Sequence, residues 1–184
     1  MIDKHYTYFC ERGSDINEHM PVLYRHSLEC KHITEMGVRH VVSTWAFLKA
    51  NPEQLICYDI RRSNNIDTAI IAAREAGIAL EFNEQDVLTI EIASTDLLFI
   101  DTLHQHDQLT QELNLHADKV RKYIILHDTS KFAYTDEVTG AEGGLWPAVE
   151  TFLSKHPEWQ LKERYTNNNG LTILQRNENI SSNL

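Results

Sequence analysis

The hydrophobic positions of this chain fall into short runs that alternate between two periods. Leu97-Leu-Phe-Ile100 and Tyr123-Ile-Ile-Leu126 are unbroken apolar runs, too short for helices and suited to strands buried on both faces. His32–Val38, Leu55–Ile60 and, more faintly, Ala79–Phe82 read as further strands, with the first of the two runs extended to Asp96–Asp101. Helical periodicity falls between them, over Ser43–Ala50, Ile66–Ala76 and Asp107–Lys122; Ser43 is placed to cap the first, with Pro52 beyond its end, and Gly77 to close the second. This β-α-β-α order implies parallel strands with helices on both faces. Ahead of it, Ile16, Met20, Leu23 and Leu28 mark an amphipathic helix, with Asp15 as its cap, Glu18 in the reciprocal position and Pro21 interrupting it or lying in its first turns. Trp146–Lys155 reads as a late helix with Pro147 near its first turn. Trp159–Tyr165 and Leu171–Arg176 flank Asn167-Asn-Asn-Gly170, a turn suited to positive φ, and predict an antiparallel hairpin. The expected fold is α/β: a mostly parallel seven-stranded sheet finished by that hairpin. Residues 1–30 are expected to form a helical N-terminal segment, 31–177 one domain, and 178–184 a polar, frayed tail.

Composition narrows the function classes. A chain of 184 residues fits one domain. A net charge of −10 repels a phosphate backbone, and basic residues cluster only in Arg61-Arg62 and Lys119-Val-Arg-Lys122, so nucleic acid is disfavoured as a partner. No apolar stretch approaches the roughly 20 residues of a membrane span. The first residues carry neither a basic segment nor an apolar core, and Cys10, Cys30 and Cys57 are odd in number and widely spaced. The expectation is a cytoplasmic protein with reduced thiols and no secretory signal.

The chemistry gathers at strand ends. The two apolar runs lead into Asp101-Thr-Leu-His104-Gln-His106-Asp107 and His127-Asp128, which places carboxylates and imidazoles at the carboxyl edge of the sheet, where open α/β folds bind ligands. Such groups can hold a divalent cation and accept a proton. The first strand ends in Glu35-Met-Gly37, and a glycine there admits close approach of a ligand. The Gly-x-Gly-x-x-Gly of a dinucleotide cradle is absent, which disfavours a nicotinamide oxidoreductase. Asp59, 22 residues beyond Gly37, ends the second strand where an acid can take both ribose hydroxyls, or else cap the following helix.

These residues resemble the class I S-adenosylmethionine-dependent methyltransferases, in the branch that includes cephalosporin hydroxylase-like and macrolide sugar O-methyltransferases. The resemblance runs over roughly residues 13 to 176. Glu35-x-Gly37-x-x-x-Val41-x-Ser43 is similar to the branch's Glu-x-Gly-x-x-x-Gly-x-Ser loop, with Val41 in place of the second glycine. Asp101-Thr-Leu-His104 through Glu112-Leu113 is similar to its Asp-Ser-x-His-x-x-x-x-Val-x-x-Glu-Leu segment, His127-Asp128-Thr129 to its second acidic signature, and Gly144 to Leu153 to its late helix. The resemblance implies a Rossmann-like methyltransferase sandwich. It implies S-adenosylmethionine bound by Glu35, Gly37, Ser43, Asp59, Asp86 and Asp101, Mg²⁺ held by Asp101, His127 and Asp128, and His104 as catalytic base.

A methyl sulfonium is already reactive, so an enzyme has chiefly to align it and to make a hydroxyl more acidic. A hard cation on carboxylates, with an imidazole beside it, meets the second need. The expected function is Mg²⁺-dependent O-methylation of a sugar or another small polar acceptor. The alternative is a catalytically silent module of the same fold that binds cofactor or a protein partner; a homo-oligomer stays open. Lys131–Gly144, aperiodic and acidic, reads as a substrate lid or a flexible loop.

Overall fold

A computed structural model describes residues 1–177, so the expected tail at 178–184 lies outside the described residues. Seven strands form one sheet: β1 (His32–Met36), β2 (Gln54–Asp59), β3 (Ala79–Glu84), β4 (Thr95–Ile100), β5 (Val120–His127), β6 (Trp159–Tyr165) and β7 (Leu171–Arg176). Their order is β3-β2-β1-β4-β5-β7-β6, parallel except where β7 runs antiparallel to β5 and β6. This is the mixed sheet with terminal hairpin that the sequence predicts. Asn168, Asn169 and Gly170 all adopt positive φ in the hairpin turn.

Strand alternation divides the core between two faces. Ile33, Leu55, Leu97, Phe99 and Ile125 pack against the N-terminal helix α2 (Met20–Ser27) and against α3 (Ser43–Lys49) and α4 (Ile66–Ala76). Met36, Leu98, Ile100, Ile124 and Leu126 pack against α5 (His106–His116) and α6 (Leu145–Lys155). Every residue of β4 is buried, which explains its unbroken apolar run. Gly77 closes α4 at φ 77° in the left-handed region, as expected.

Three local expectations are corrected. The helix over Asp107–Lys122 stops at His116, and after a 3-10 turn at Ala117–Lys119 the chain is already in β5. Arg121 is bound to Asp96 and Lys122 to the Glu29 carbonyl, so these basic residues edge a strand and do not wet a helix face. Asp15 caps nothing. Ser14 Oγ accepts the Asn17 N–H at 3.0 Å, residues 17–19 form a 3-10 turn, and α2 follows with Pro21 in its first turn. A separate helix, α1 (Ile2–Glu11), lies ahead of them. Ser43 likewise does not cap α3, because its hydroxyl is committed to Glu35 at 2.5 Å.

Candidate active site

Sheet order reverses between β1 and β4, and the loops leaving their carboxyl ends part there. A cleft of about 440 Å³ opens at this point, in the size range of small-molecule sites. Gly37, Asp59, Asp86 and Asp101 line it. Gly37 has φ +86°, and a Cβ on it would stand 1.9 Å from the Asp101 carbonyl oxygen. What the glycine admits is therefore the end of β4 itself, which sets the width of the cleft floor. Asp59 Oδ2 accepts the N–H groups of Val38 and Arg39, both at 2.8 Å, and Oδ1 accepts that of Arg61 at 3.0 Å. A carboxylate has about four acceptor positions, so Asp59 keeps capacity for a donor from the cleft. It does not cap α4, which begins after Asn65. Asp86 caps the 3-10 turn Val87–Thr89 through the Leu88 N–H at 2.9 Å and also faces the cleft.

Glu35 and Ser43 lie beneath this cleft. Glu35 is fully buried, and its two oxygens take hydrogen bonds from Ser43 Oγ at 2.5 Å, Thr44 Oγ1 at 2.7 Å and Cys57 Sγ at 3.2 Å. The pair ties α3 to β1 and so shapes the loop between them. In that loop Val41 sits at φ +65°, a conformation costing a β-branched residue roughly 1–3 kcal/mol. Its side chain is wholly buried in the core, and that burial offsets the strain.

At the ends of β4 and β5 the sequence-predicted polar residues converge. Ligand-type atoms of Asp101, His104 and Asp128 all lie within 4.8 Å of one another. His104 Nε2 stands 3.3 Å from Asp101 Oδ1 and 3.1 Å from Asp128 Oδ2. His127 Nδ1 reaches the same two carboxylate atoms at 3.2 and 2.9 Å. His127 is more orienting than exposed, for its Nε2 faces the carbonyls of Asp15 at 3.1 Å and Asn168 at 3.3 Å. Carbonyls only accept, so that nitrogen carries a proton and Nδ1 is left to the carboxylates. Burial pulls both histidine pKa values down, but the hydrogen bonds to Asp101 and Asp128 outweigh it and raise each to about 10. Burial likewise opposes ionisation of Asp101 and Asp128, and the two imidazoles override it and hold both carboxyls below the ordinary range. Asp128 adopts φ +59°, and its Oδ1 is buried with no hydrogen-bond partner among the described residues. His106 and Asp107 pair with each other at the surface, away from the cluster.

Sequence reasoning missed Glu137. It lies in the aperiodic 131–144 segment, where it was indistinguishable from its acidic neighbours. The segment is pinned to the cluster: Glu137 Oε2 meets His104 Nδ1 at 2.8 Å, and the Glu137 N–H donates to the His104 carbonyl at 3.1 Å. Phe132 stacks on the His104 ring, with centroids 4.9 Å apart and planes 4° from parallel. The imidazole is thus held in position and in azimuth.

Glu112, the last acid of the polar segment, is also buried. Its Oε1 accepts from Thr102 Oγ1 at 2.6 Å and Gln108 Nε2 at 2.8 Å, and Oε2 has no partner among the described residues. Burial, only partly opposed by these bonds, raises its pKa to about 7. A carboxyl raised in the folded state stabilises fully below its unfolded pKa and loses that contribution as pH rises through the folded value. Metal-free protein is therefore expected to lose stability between pH 5 and pH 8, with on the order of 3 kcal/mol of the loss due to Glu112. Urea denaturation at the two pH values checks this. Glu112→Gln should remove only its own share of the difference, because burial also raises Glu35 to about 7 and that carboxyl loses stability over the same window. An unchanged pH dependence in the variant would disprove the assignment.

No family model matches this chain, and no curated protein matches it by sequence. Solved structures do. The N-methyltransferase NodS of Bradyrhizobium japonicum WM9, in complex with S-adenosylhomocysteine, superimposes with TM-score 0.65 at 14% identity, over 91% of this chain and 90% of its own. The 1,6-didemethyltoxoflavin-N1-methyltransferase of Burkholderia thailandensis gives 0.64 at 10% identity, over 90% and 79%. The S-adenosylhomocysteine-bound methyltransferase PaMTH1 of Podospora anserina gives 0.59 at 15%, over 96% and 88%. The fold is the Rossmann-like methyltransferase fold.

Proposed function

From this shared fold we propose that the chain is an S-adenosylmethionine-dependent, Mg²⁺-dependent O-methyltransferase acting on a hydroxyl of a sugar or another small polar acceptor. The observation that carries the reading is the double membership of Asp101. It lines the cleft at the sheet's switch point and also belongs to the Asp101–His104–Asp128 cluster, so a cofactor site and a cation site share a wall.

The residues fit both groups. The cleft has the size for a nucleoside-bearing cofactor, for which Asp59 would take the ribose, Asp86 the base side and Asp101 the amino-acid end, while Gly37 lines the cleft and buried Glu35 and Ser43 shape its loop from below. Bound there, S-adenosylmethionine supplies a methyl group on a sulfonium. Asp101 and Asp128 offer hard oxygen ligands, and the unpartnered buried Oδ1 of Asp128 is the sort of atom a cation satisfies. Magnesium held by them supplies positive charge that makes a nearby hydroxyl easier to ionise. His127 is assigned to the metal side, where its tethered ring fixes the two carboxylates. His104 is assigned as the general base: Glu137 holds its Nδ1 at 2.8 Å, and Nε2, which now meets Asp101 and Asp128, would be available to a hydroxyl once a cation took up those carboxylates.

Among the described residues no helix is long and apolar enough to cross a membrane. Three unpaired cysteines, two of them buried, support placement in a reducing compartment, the cytoplasm. Calorimetric titration with S-adenosylmethionine, with and without Mg²⁺, tests the proposal. Saturable 1:1 binding of the cofactor is expected, with a separate heat for the metal. Absence of both would reject the enzyme reading, and cofactor binding indifferent to metal would reject the cation site.

A further inference from the structure

We propose that Arg39 is the anchor for the carboxylate of the cofactor's amino-acid moiety, presented to the cleft by Asp15. The inference rests on the reading that this cleft takes S-adenosylmethionine.

Charge balance in the cleft motivates it. Three of its lining side chains, Asp59, Asp86 and Asp101, are acids. They suit the hydroxyls, the ammonium and the sulfonium of the cofactor, and they repel its one carboxylate. Among the described residues lining the cleft, Arg39 is the one basic side chain.

Its geometry matches the task. Arg39 sits at φ +41°, unusual for a residue with a side chain, and its N–H is held by Asp59 Oδ2 at 2.8 Å. The backbone of the anchor and the acid on the ribose side are therefore one unit. Further out, Nη2 donates to both oxygens of Asp15, at 2.7 and 2.5 Å. A guanidinium has five N–H donors, and this contact engages only Nη2, so Nη1 and Nε have no partner among the described residues. Nη1 and Nε lie on opposite sides of the group, so each can give a charge-assisted hydrogen bond to a carboxylate, and a two-point grip would share Nη2 with Asp15. An ion pair whose arginine side chain is 58% exposed adds little stability, so holding the guanidinium in place is the better account of Asp15. Asp15 is itself fixed, since its carbonyl accepts from His127 Nε2 at 3.1 Å. One residue of the N-terminal segment thus sets the arginine in register with the catalytic cluster.

Two ligands separate this proposal from the broader reading. 5′-Methylthioadenosine keeps the nucleoside and the sulfur but lacks the amino-acid carboxylate. By calorimetry, Arg39→Ala is expected to weaken S-adenosylmethionine by roughly 10–100-fold, the scale of losing a charge-assisted pair. Its affinity for methylthioadenosine should change less than about twofold. Asp15→Asn should give a smaller loss with the same selectivity. An equal loss for both ligands would mean that the loop had been damaged, and no loss for either would assign Arg39 elsewhere, for example to an anionic acceptor; each overturns the proposal. Wild-type protein that binds neither ligand removes the cofactor reading and this inference with it, whereas binding of methylthioadenosine without an Arg39 effect removes only the inference.

Discussion

Replacing His104 with alanine is expected to leave S-adenosylmethionine affinity within a few-fold of wild type and to lower turnover by about 10²–10⁴, the range of a positioned general base. The separation follows from where the ring sits. His104 does not line the main cleft; it stands over Asp101 and Asp128, clamped by the stack on Phe132 and by Glu137 on Nδ1. Glu137→Gln should give a milder version of the same phenotype. A glutamine can still hold the ring through its carbonyl, but it loses the charge that makes Nε2 basic. Release of S-adenosylhomocysteine on any hydroxylated acceptor that the wild type methylates provides the measurement. Turnover of His104→Ala equal to wild type would remove the residue from the chemistry and leave it a structural partner of two aspartates.

The second large effect concerns the aspartates. Asp128→Asn should abolish Mg²⁺ binding and, with it, nearly all turnover, while cofactor affinity survives, because Asp128 is buried at the end of β5 and is not among the cleft's lining residues. Asp101→Asn should fail in both respects, since Asp101 faces both sites. Thermal denaturation gives an independent readout. A ligand that binds only the folded state raises the melting temperature, so saturating Mg²⁺ should shift wild type upward and leave both variants unmoved. A full Mg²⁺ shift in Asp128→Asn would place the cation elsewhere.

Much of this architecture is written in local pattern. β4 and β5 announce themselves because they are buried on both faces, and the Asn-rich turn because left-handed backbone at 168 to 170 favours those residues. Asp101, His104 and Asp128 were visible for a related reason: a polar group directly after a buried strand lands at the edge of the sheet. Glu35 was harder to place. The same rule points it at a ligand, yet strand alternation puts it on the face of Ile33 and Cys57, under α3, and counting parity from Ile33 would have shown it. Glu137 carried no such signal, because its contact with His104 spans 33 residues and arises from how an aperiodic loop folds back. The overlong helix at 107–122 reflects composition, since Lys119-Val-Arg-Lys122 has helix-forming residues whose partners, Asp96 and Glu29, are distant in sequence.

His127 carries a further consequence for the order of events in folding. Its Nε2 is gripped by carbonyls 112 positions earlier and 41 positions later in the chain, and His19 holds the same Asn167–Asn168 turn across a separation of 148 residues. Contacts between such distant segments form late, after the loops between them have closed. The β4–β5 half of the protein can therefore be in place, with all its acids and imidazoles, before the ring that aligns them has been locked. On the proposed reading, activity is expected to be the last property gained on refolding and the first lost on mild denaturation.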